Sequence, residues 1–366
     1  MIRKDKSIRL VIAGGGTGGH VFPAVAVAQE LLARKNGSEV LFIGTHKGLE
    51  ARILPEMGFE FRTIDIEGIK GKGLLKRLKG AGKIPKSMIQ SCRIIHFFKP
   101  DVVFGVGGYA SGPAVMAAFL MGIPTAVAEQ NAVPGITNRI LGKVAKKIFI
   151  TFEDRQGYFP ENKIVHTGNP VREEFIRKEK KVNGPGEDKF TILIFGGSQG
   201  ASSINRAFAD ALSYLEDLQG RLQIIHQTGE KEWLEIAREY REKGWSAEVY
   251  PFINDMVSVY ARANLLVCRA GATSIAEITA SGKAAVLIPY PYSAGGHQIM
   301  NAKMLVDSGA AEMIIEENLT GELLASQVRG LLDDRAKLKN MGEQSKKLGK
   351  PDASKRIIDE LMALAA

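Results

Sequence analysis

The chain has 366 residues, 45% apolar and 24% charged, the balance of an ordinary globular protein, and at roughly 100–200 residues per domain it is long enough for two cores. Two cysteines, Cys92 and Cys268, exclude a disulfide framework and a cysteine-based zinc site of the usual spacing, so a reducing compartment is expected. The net charge of +9 is uneven: Lys70, Lys72, Lys76, Arg77, Lys79, Lys83, Lys86, Arg93 and Lys99 lie between Gly68 and Pro100, with no Asp or Glu among them.

Along the chain, Met1 to Lys6 is basic, but the apolar run Ile8 to Ala13 falls short of the roughly 7–15 residues of a signal-peptide core. Strands are predicted at Arg9 to Ala13, Val40 to Ile43, Val102 to Val106, Thr125 to Ala128 and Ile148 to Thr151. Helical patterns at Val21 to Arg34, Gly48 to Glu56, Lys86 to Phe98, Pro113 to Met121 and Gly135 to Lys143 separate them. The uncharged stretch Gly112 to Ala128 is broken by Pro113, Gly122 and Pro124. It reads as a buried helix and a strand, because a membrane span needs ~20 continuous apolar residues. After a boundary expected near Tyr158 to Val171, the scheme repeats with strands at Thr191 to Phe195, Leu222 to Gln227, Ala247 to Tyr250, Leu265 to Cys268 and Ala284 to Pro289. Lys178 to Lys189 reads as an exposed loop, and a last helix, Ser354 to Ala365, opens at Asp352 as N-cap. Short apolar strands alternating with helices imply parallel sheets covered on both faces. The fold class is therefore α/β, with two doubly wound domains.

Three strand-to-helix turns are rich in glycine: Gly14 to His20, Gly105 to Pro113, and Gly196 to Gly200. Such turns let the backbone approach a ligand and aim amides at it beside a helix N-terminus, where phosphates bind. Gly14, Gly16 and Gly19 satisfy the dinucleotide fingerprint, but the second strand ends Ile43-Gly44-Thr45 without the ribose-binding acid. That argues against NAD, and the absence of G-K-[ST] argues against a P-loop. His20, directly after the first turn, can take a proton from a hydroxyl near pH 7 or serve as a structural histidine. Glu129, at a strand end, reads as a second base or a hydrogen-bond partner. In Cys268 to Glu277, a strand-turn-helix segment, the amides of Ala272 to Ser274 can meet a diphosphate. Glu277, placed in the first turn or so of that helix, can accept ribose hydroxyls or simply face solvent. The following loop, Ser293 to Gln298, leads to Asn301 and offers amide side chains to sugar hydroxyls. No D-x-D and no metal-spaced His–Cys–carboxylate cluster occurs in the sequence, so a departing diphosphate would rely on helix N-termini and hydrogen bonds, without metal or cofactor.

In the basic segment the charges interleave with Ile69, Leu74, Leu75, Leu78, Ile84, Met88 and Ile89. An anionic membrane surface attracts such a pattern. A solvated helix face reads equally well, and nucleic acid is a weaker third option, since no binding signature is present.

Gly14 to His20, Gly107-Gly108-Tyr109 with Ser111-Gly112-Pro113, Glu129-Gln130-Asn131, Gly168 to Arg172, Gly196 to Gly200, Cys268 to Glu277 and His297-Gln298 with Asn301-Ala302 together resemble the MurG family of peptidoglycan N-acetylglucosaminyltransferases. The resemblance implies a GT-B fold, two Rossmann-like domains with an inter-domain cleft. Residues 1–171 would bind acceptor and membrane and 172–349 the donor, with the helix of 350–366 packing back on the first domain. It implies transfer of N-acetylglucosamine from UDP-GlcNAc to the C4 hydroxyl of the undecaprenyl-linked muramoyl-pentapeptide, lipid I, giving lipid II with inversion. The donor would meet Arg172, Ser198, Ile253 (backbone to uracil), Ala272, Thr273, Ser274, Ile275, Ala276, Glu277 (ribose) and Gln298 (sugar). Thr17, Gly18, Gly19 and Asn131 would close the site from the acceptor side, with His20 or Glu129 as base. Lys70, Lys72, Leu74, Leu75, Lys76, Arg77, Leu78 and Lys79 would dock on the anionic cytoplasmic leaflet of the cell membrane, making the protein peripheral there beside other cell-wall synthesis proteins. Another lipid glycosyltransferase of this architecture, a UDP-sugar epimerase and a silent UDP-sugar-binding protein remain alternatives.

Overall fold

The computed structural model describes residues 7–35, 37–68, 74–154, 156–176, 189–197 and 199–366, with side chains in the basic helix described from Gly82 onward. The chain divides into two compact units, Met1–Arg172 with Lys350–Ala366, and Glu173–Gly349.

The first unit runs β1 (Arg9–Ala13), α1 (Gly18–Arg34), β2 (Glu39–Gly44), α2 (Glu50–Glu56), β3 (Glu60–Thr63), α3 (Leu74–Phe98), β4 (Val102–Gly105), α4 (Ser111–Leu120), β5 (Thr125–Glu129), α5 (Ile136–Val144), β6 (Lys147–Ile150) and β7 (Ile164–His166). Its sheet has the order β3-β2-β1-β4-β5-β6-β7, every described pairing parallel. Alternation along β1 explains why both faces are covered: Leu10 and Ile12 join Val25, Ala28 and Leu31 of α1 on one face, while Val11 and Ala13 join Ile95 of α3, Val115 and Ala118 of α4 and Leu141 of α5 on the other.

The second unit runs α6 (Glu173–Ile176), β8 (Phe190–Phe195), α7 (Ser202–Ala211), β9 (Leu222–Gln227), α8 (Trp233–Glu242), β10 (Ala247–Tyr250), α9 (Met256–Arg262), β11 (Leu265–Cys268), α10 (Ala272–Ser281), β12 (Ala284–Leu287), α11 (His297–Asp307), β13 (Ala311–Met313), α12 (Gly321–Asp333) and α13 (Arg335–Leu348). Its parallel sheet has the order β10-β9-β8-β11-β12-β13. The last helix, α14 (Ala353–Ala365), returns to the first unit: Ile357, Ile358 and Leu361 are fully buried against the α1 face. Burying each contributes on the order of 1.5–3 kcal/mol. Arg34 adds an exposed pair to Asp359 at 2.7 Å, which contributes little beside that. Asp352 occupies the N-cap position, but its side chain makes no capping bond.

Two departures from the sequence reading are physical. The basic helix begins at Leu74, not Lys86, because Pro85 lies inside it rather than before it. β3 and β13 escape pattern reading because they are short edge strands with half-exposed residues, Glu60–Thr63 and Ala311–Met313.

Candidate functional site

In an open parallel sheet, ligands meet the carboxyl ends of strands where the strand order reverses. In the first unit that point lies between β1 and β4, and two of the three glycine turns lie there back to back. A Cβ on Gly14 would come within 2.3 Å of the Gly107 carbonyl oxygen, and one on Gly108 within 2.3 Å of the Gly15 oxygen. Gly14, Gly15, Gly16, Gly107 and Gly108 all have positive φ, so neither turn admits a side chain at its contact. Thr17 is the N-cap of α1, its hydroxyl making no capping bond, and Gly18 and Gly19 open the helix.

His20 follows in the first turn of α1, its ring against Gly107, where a Cβ would sit 2.7 Å from Cε1. Nδ1 is buried without a hydrogen-bond partner. Burial pushes this imidazole below its ordinary pKa of 6.5, opposed by the Glu129 carboxylate, the Gln130 side chain, the Val106 backbone and the Glu50 carboxylate. It is therefore neutral at pH 7, the state a proton acceptor needs.

Glu129 ends β5 and is 4% exposed. Its carboxylate accepts from Asn131 N (3.0 Å), Asn131 Nδ2 (3.3 Å), Gly135 N (3.1 Å) and Asn138 Nδ2 (2.9 Å). Both oxygens are thus engaged in shaping the loop between β5 and α5, Asn131 included.

The sequence reading missed Glu50, which is 1% exposed. Its carboxylate accepts from Gly16 N (2.7 Å), Thr45 N (3.0 Å) and Thr45 Oγ1 (2.9 Å). No local pattern reveals this, since the donors come from two other segments.

In the second unit the switch point lies between β8 and β11. The turn after β8 has positive φ at Gly197 and Gly200, and a Cβ on Gly200 would meet the Thr228 oxygen at 1.9 Å. Ser198 lies outside the described residues. Beneath the turn, His226 is buried between Tyr240 Oη (2.7 Å from Nδ1) and Asn205 Oδ1 (3.1 Å from Nε2). Asn205 Nδ2 donates to the Thr228 oxygen (2.9 Å) and to Glu232 Oε2 (2.6 Å). That leaves Oδ1 as acceptor, so Nε2 carries the His226 proton and Tyr240 donates to Nδ1. Burial holds His226 down at about 3.

After β11, Gly271 is the N-cap of α10 with no side-chain capping bond, and Ala272, Thr273, Ser274, Ile275 and Ala276 form the helix's opening turn and a half. Glu277 is the sixth helical residue, in the second turn rather than the first, and is buried at 8% exposure. It is not a solvent-facing acid. Burial, joined by the Glu277 charge, pushes the Cys268 thiol up, far from reactivity. Ile253 is buried and its N–H donates to Gln227 Oε1 at 2.8 Å, so that amide is already committed within the protein. Gln298 opens α11 with its Oε1 accepting from Tyr290 N at 2.9 Å, leaving the NH2 end as the group it can present. Asn301, expected near the sugar, is fully buried and donates to the Ala270 oxygen at 3.2 Å, tying α11 to the turn after β11. Arg269, also missed, bonds the Ile288 oxygen (3.2 Å) and Ser203 Oγ (3.0 Å) and pairs with Glu316, joining the turns after β8, β11 and β12. Arg172 ends the first unit, its guanidinium 5.0 Å from the Phe22 ring of α1.

Of the basic segment, Lys70 and Lys72 lie outside the described residues, as do the side chains of Leu74, Leu75, Lys76, Arg77, Leu78 and Lys79. Lys83 pairs with Asp65 (3.0 Å) and Glu67 (2.6 Å), and Lys86 with Asp65 (2.9 Å). These contacts hold Asp65 at about 2, chiefly through its bonds to Lys86 and then Lys83. Two of the segment's cations are thus matched by acids just upstream, while Ile89 and Phe97 of α3, Leu120 of α4 and Ile136 and Ile140 of α5 remain exposed. Among the described residues no helix is long and apolar enough to cross a membrane, and no three His, Cys, Asp or Glu side chains are grouped to hold a metal.

Residues 10–150 match the glycosyltransferase family 28 N-terminal domain and residues 191–357 its C-terminal domain. The chain is 51% identical over 358 residues to the UDP-N-acetylglucosamine–N-acetylmuramyl-(pentapeptide) pyrophosphoryl-undecaprenol N-acetylglucosamine transferase of Syntrophus aciditrophicus (strain SB), covering 98% of this chain and 99% of that one. It is 49% identical over 358 residues to the protein of that name from Geobacter sulfurreducens, covering 97% and 98%. Among solved structures, Acinetobacter baumannii MurG aligns with a TM-score of 0.77 at 34% identity, over 97% of this chain and 99% of that one.

Proposed function

This chain belongs to glycosyltransferase family 28 and, within it, to the MurG family, and from that premise we infer how its two switch-point sites divide one reaction. The enzyme moves N-acetylglucosamine from UDP-GlcNAc to lipid I, forming lipid II. The observation that carries the division of labour is the neutral, partly buried His20 wedged between the two glycine turns of the first unit.

His20 takes the proton of the acceptor C4 hydroxyl as that oxygen attacks the anomeric carbon, and UDP leaves from the opposite face with inversion. Thr17, Gly18, Gly19 and Asn131 position the acceptor. Glu129, whose oxygens already accept from Asn131, Gly135 and Asn138, does not take that proton; its charge steadies the imidazolium formed on His20. In the second unit, the open N-terminus of α10 relieves the charge growing on the diphosphate. Glu277 holds the ribose, Ile253, whose N–H is given to Gln227, offers its backbone carbonyl to the uracil, and Gln298, through its NH2, holds the sugar; Ser198 belongs to the same donor site. A lipid-linked acceptor requires a membrane-facing surface. The α3 to α5 side of the first unit, with its cations and exposed Ile89, Leu120, Ile136 and Ile140, suits peripheral attachment to the anionic cytoplasmic leaflet.

The test is transfer of labelled N-acetylglucosamine from UDP-GlcNAc to a short-chain lipid I analogue by wild type and His20→Ala. Loss of a general base lowers turnover by ~10²–10⁴-fold while UDP binding is retained. A His20→Ala enzyme with near wild-type turnover would sink the assignment of the base.

A further inference from the structure

We propose that Glu50 is a positioning residue for this transfer, its buried carboxylate fixing the first glycine turn and, through it, the placement of His20. The role rests on the reading of the reaction given above.

The site is built for a carboxylate. Gly15, Gly44 and Gly48 surround it, and a Cβ on any of them would overlap it, at 2.4 Å from Cδ, 2.6 Å from Cγ and 2.0 Å from Oε2 respectively. Glu50 Oε2 accepts from Gly16 N and Oε1 from both donors of Thr45. The group therefore staples the turn after β1 to the loop after β2. Gly16 is the last positive-φ residue before the N-cap of α1, so its amide fixes how the chain enters the helix that carries His20. An unpaired buried carboxylate is costly, and one with donors on both oxygens is tolerated and directional. Donors on both oxygens also make glutamine a poor replacement. Whichever way the amide turns, its NH2 faces an N–H, either that of Gly16 or that of Thr45.

The experiment measures the same transfer with wild type, Glu50→Gln and Gly48→Ala, together with thermal unfolding and UDP affinity. Gly48 lies outside the left-handed region, so its alanine is tolerated by the backbone and acts by pushing the carboxylate aside. Both variants should lose about 10²-fold in kcat, the scale of a misplacement of about 1 Å, with KM for UDP-GlcNAc and UDP affinity within about threefold. Gly48→Ala combined with Glu50→Ala should be no worse than Glu50→Ala alone, since the overlap is gone. In the pH profile, carboxylates facing His20 come from α2 (Glu50) and β5 (Glu129). Removing the first favours neutral imidazole, so the acidic limb in Glu50→Gln should move to lower pH. A purely structural residue would lower the folded fraction and leave kcat per folded enzyme and this limb unchanged; that result overturns the proposal. So does an active wild type matched in kcat by both variants. Wild type that transfers no sugar overturns the reading of the reaction and this role with it.

Discussion

The turn after β1 and the turn after β8 stand at equivalent points of two parallel sheets, yet different chemistry lies beneath them. Under the first are two buried carboxylates, Glu50 and Glu129, with the Gly16 amide already given to Glu50. Under the second is a buried chain of Tyr240, His226 and Asn205, with His226 kept neutral. A diphosphate brings negative charge and needs donors. The first turn has given its Gly16 amide to the protein's own anion, and the field there favours a group that becomes cationic, such as a histidine accepting a proton. The second unit adds the uncapped N-terminus of α10 and suits the diphosphate. Two glycine-rich turns at equivalent sheet positions thus sit over different electrostatic surroundings.

The largest break in this comparison should come from Gly200→Ala. Its new Cβ would strike the Thr228 carbonyl backbone at 1.9 Å with φ at +75°, and destabilisation of more than about 3 kcal/mol is expected in denaturant unfolding. Stability without that loss would show that the turns after β8 and β9 are not locked together.

Acid should expose the second network next. His226 has a folded pKa of about 3 against 6.5 unfolded, so its contribution is complete above pH 6.5. It is lost as pH falls toward 3, because the unfolded chain binds a proton that the folded one refuses. The slope attributable to it is at most about 1.4 kcal/mol per pH unit, and unfolding curves of His226→Gln should be flatter across that window. An unchanged slope would mean that other groups dominate acid unfolding.

A smaller effect is expected at the donor site, where Glu277→Ala should weaken UDP-GlcNAc binding by ~1–3 kcal/mol, read by calorimetry. Unchanged affinity would remove Glu277 from the ribose. Smallest is Gly16→Ala: a Cβ there meets nothing within 4 Å, so only the strain of φ +94° remains, about 1 kcal/mol. A loss rivalling that at Gly200 would mean that the first turn is as tightly packed as the second.

Much of the scaffold was legible because its signals are local. Fully buried runs such as Val102–Gly105 and Leu265–Cys268 announce central parallel strands, and glycines after strands announce tight turns. The network around His226 could have been suspected from a histidine following Ile224 and Ile225 in the strand Leu222–Gln227. Glu50 could not: in Gly48-Leu49-Glu50 it looks like any acid opening a helix, and its partners Gly16 and Thr45 belong to other segments.

The sequence by itself determined the alternation of strands and helices, the glycine turns and the family, because strand burial, turn conformation and motif order are properties of neighbouring residues. Only the tertiary structure decided that Asn301 and Arg269 brace turns, and that Glu277 is buried in a second helical turn. It also decided that Glu50 lies beneath the first glycine turn. Each of these depends on which distant segments meet, and hydrogen-bond partners and burial are fixed by that meeting alone.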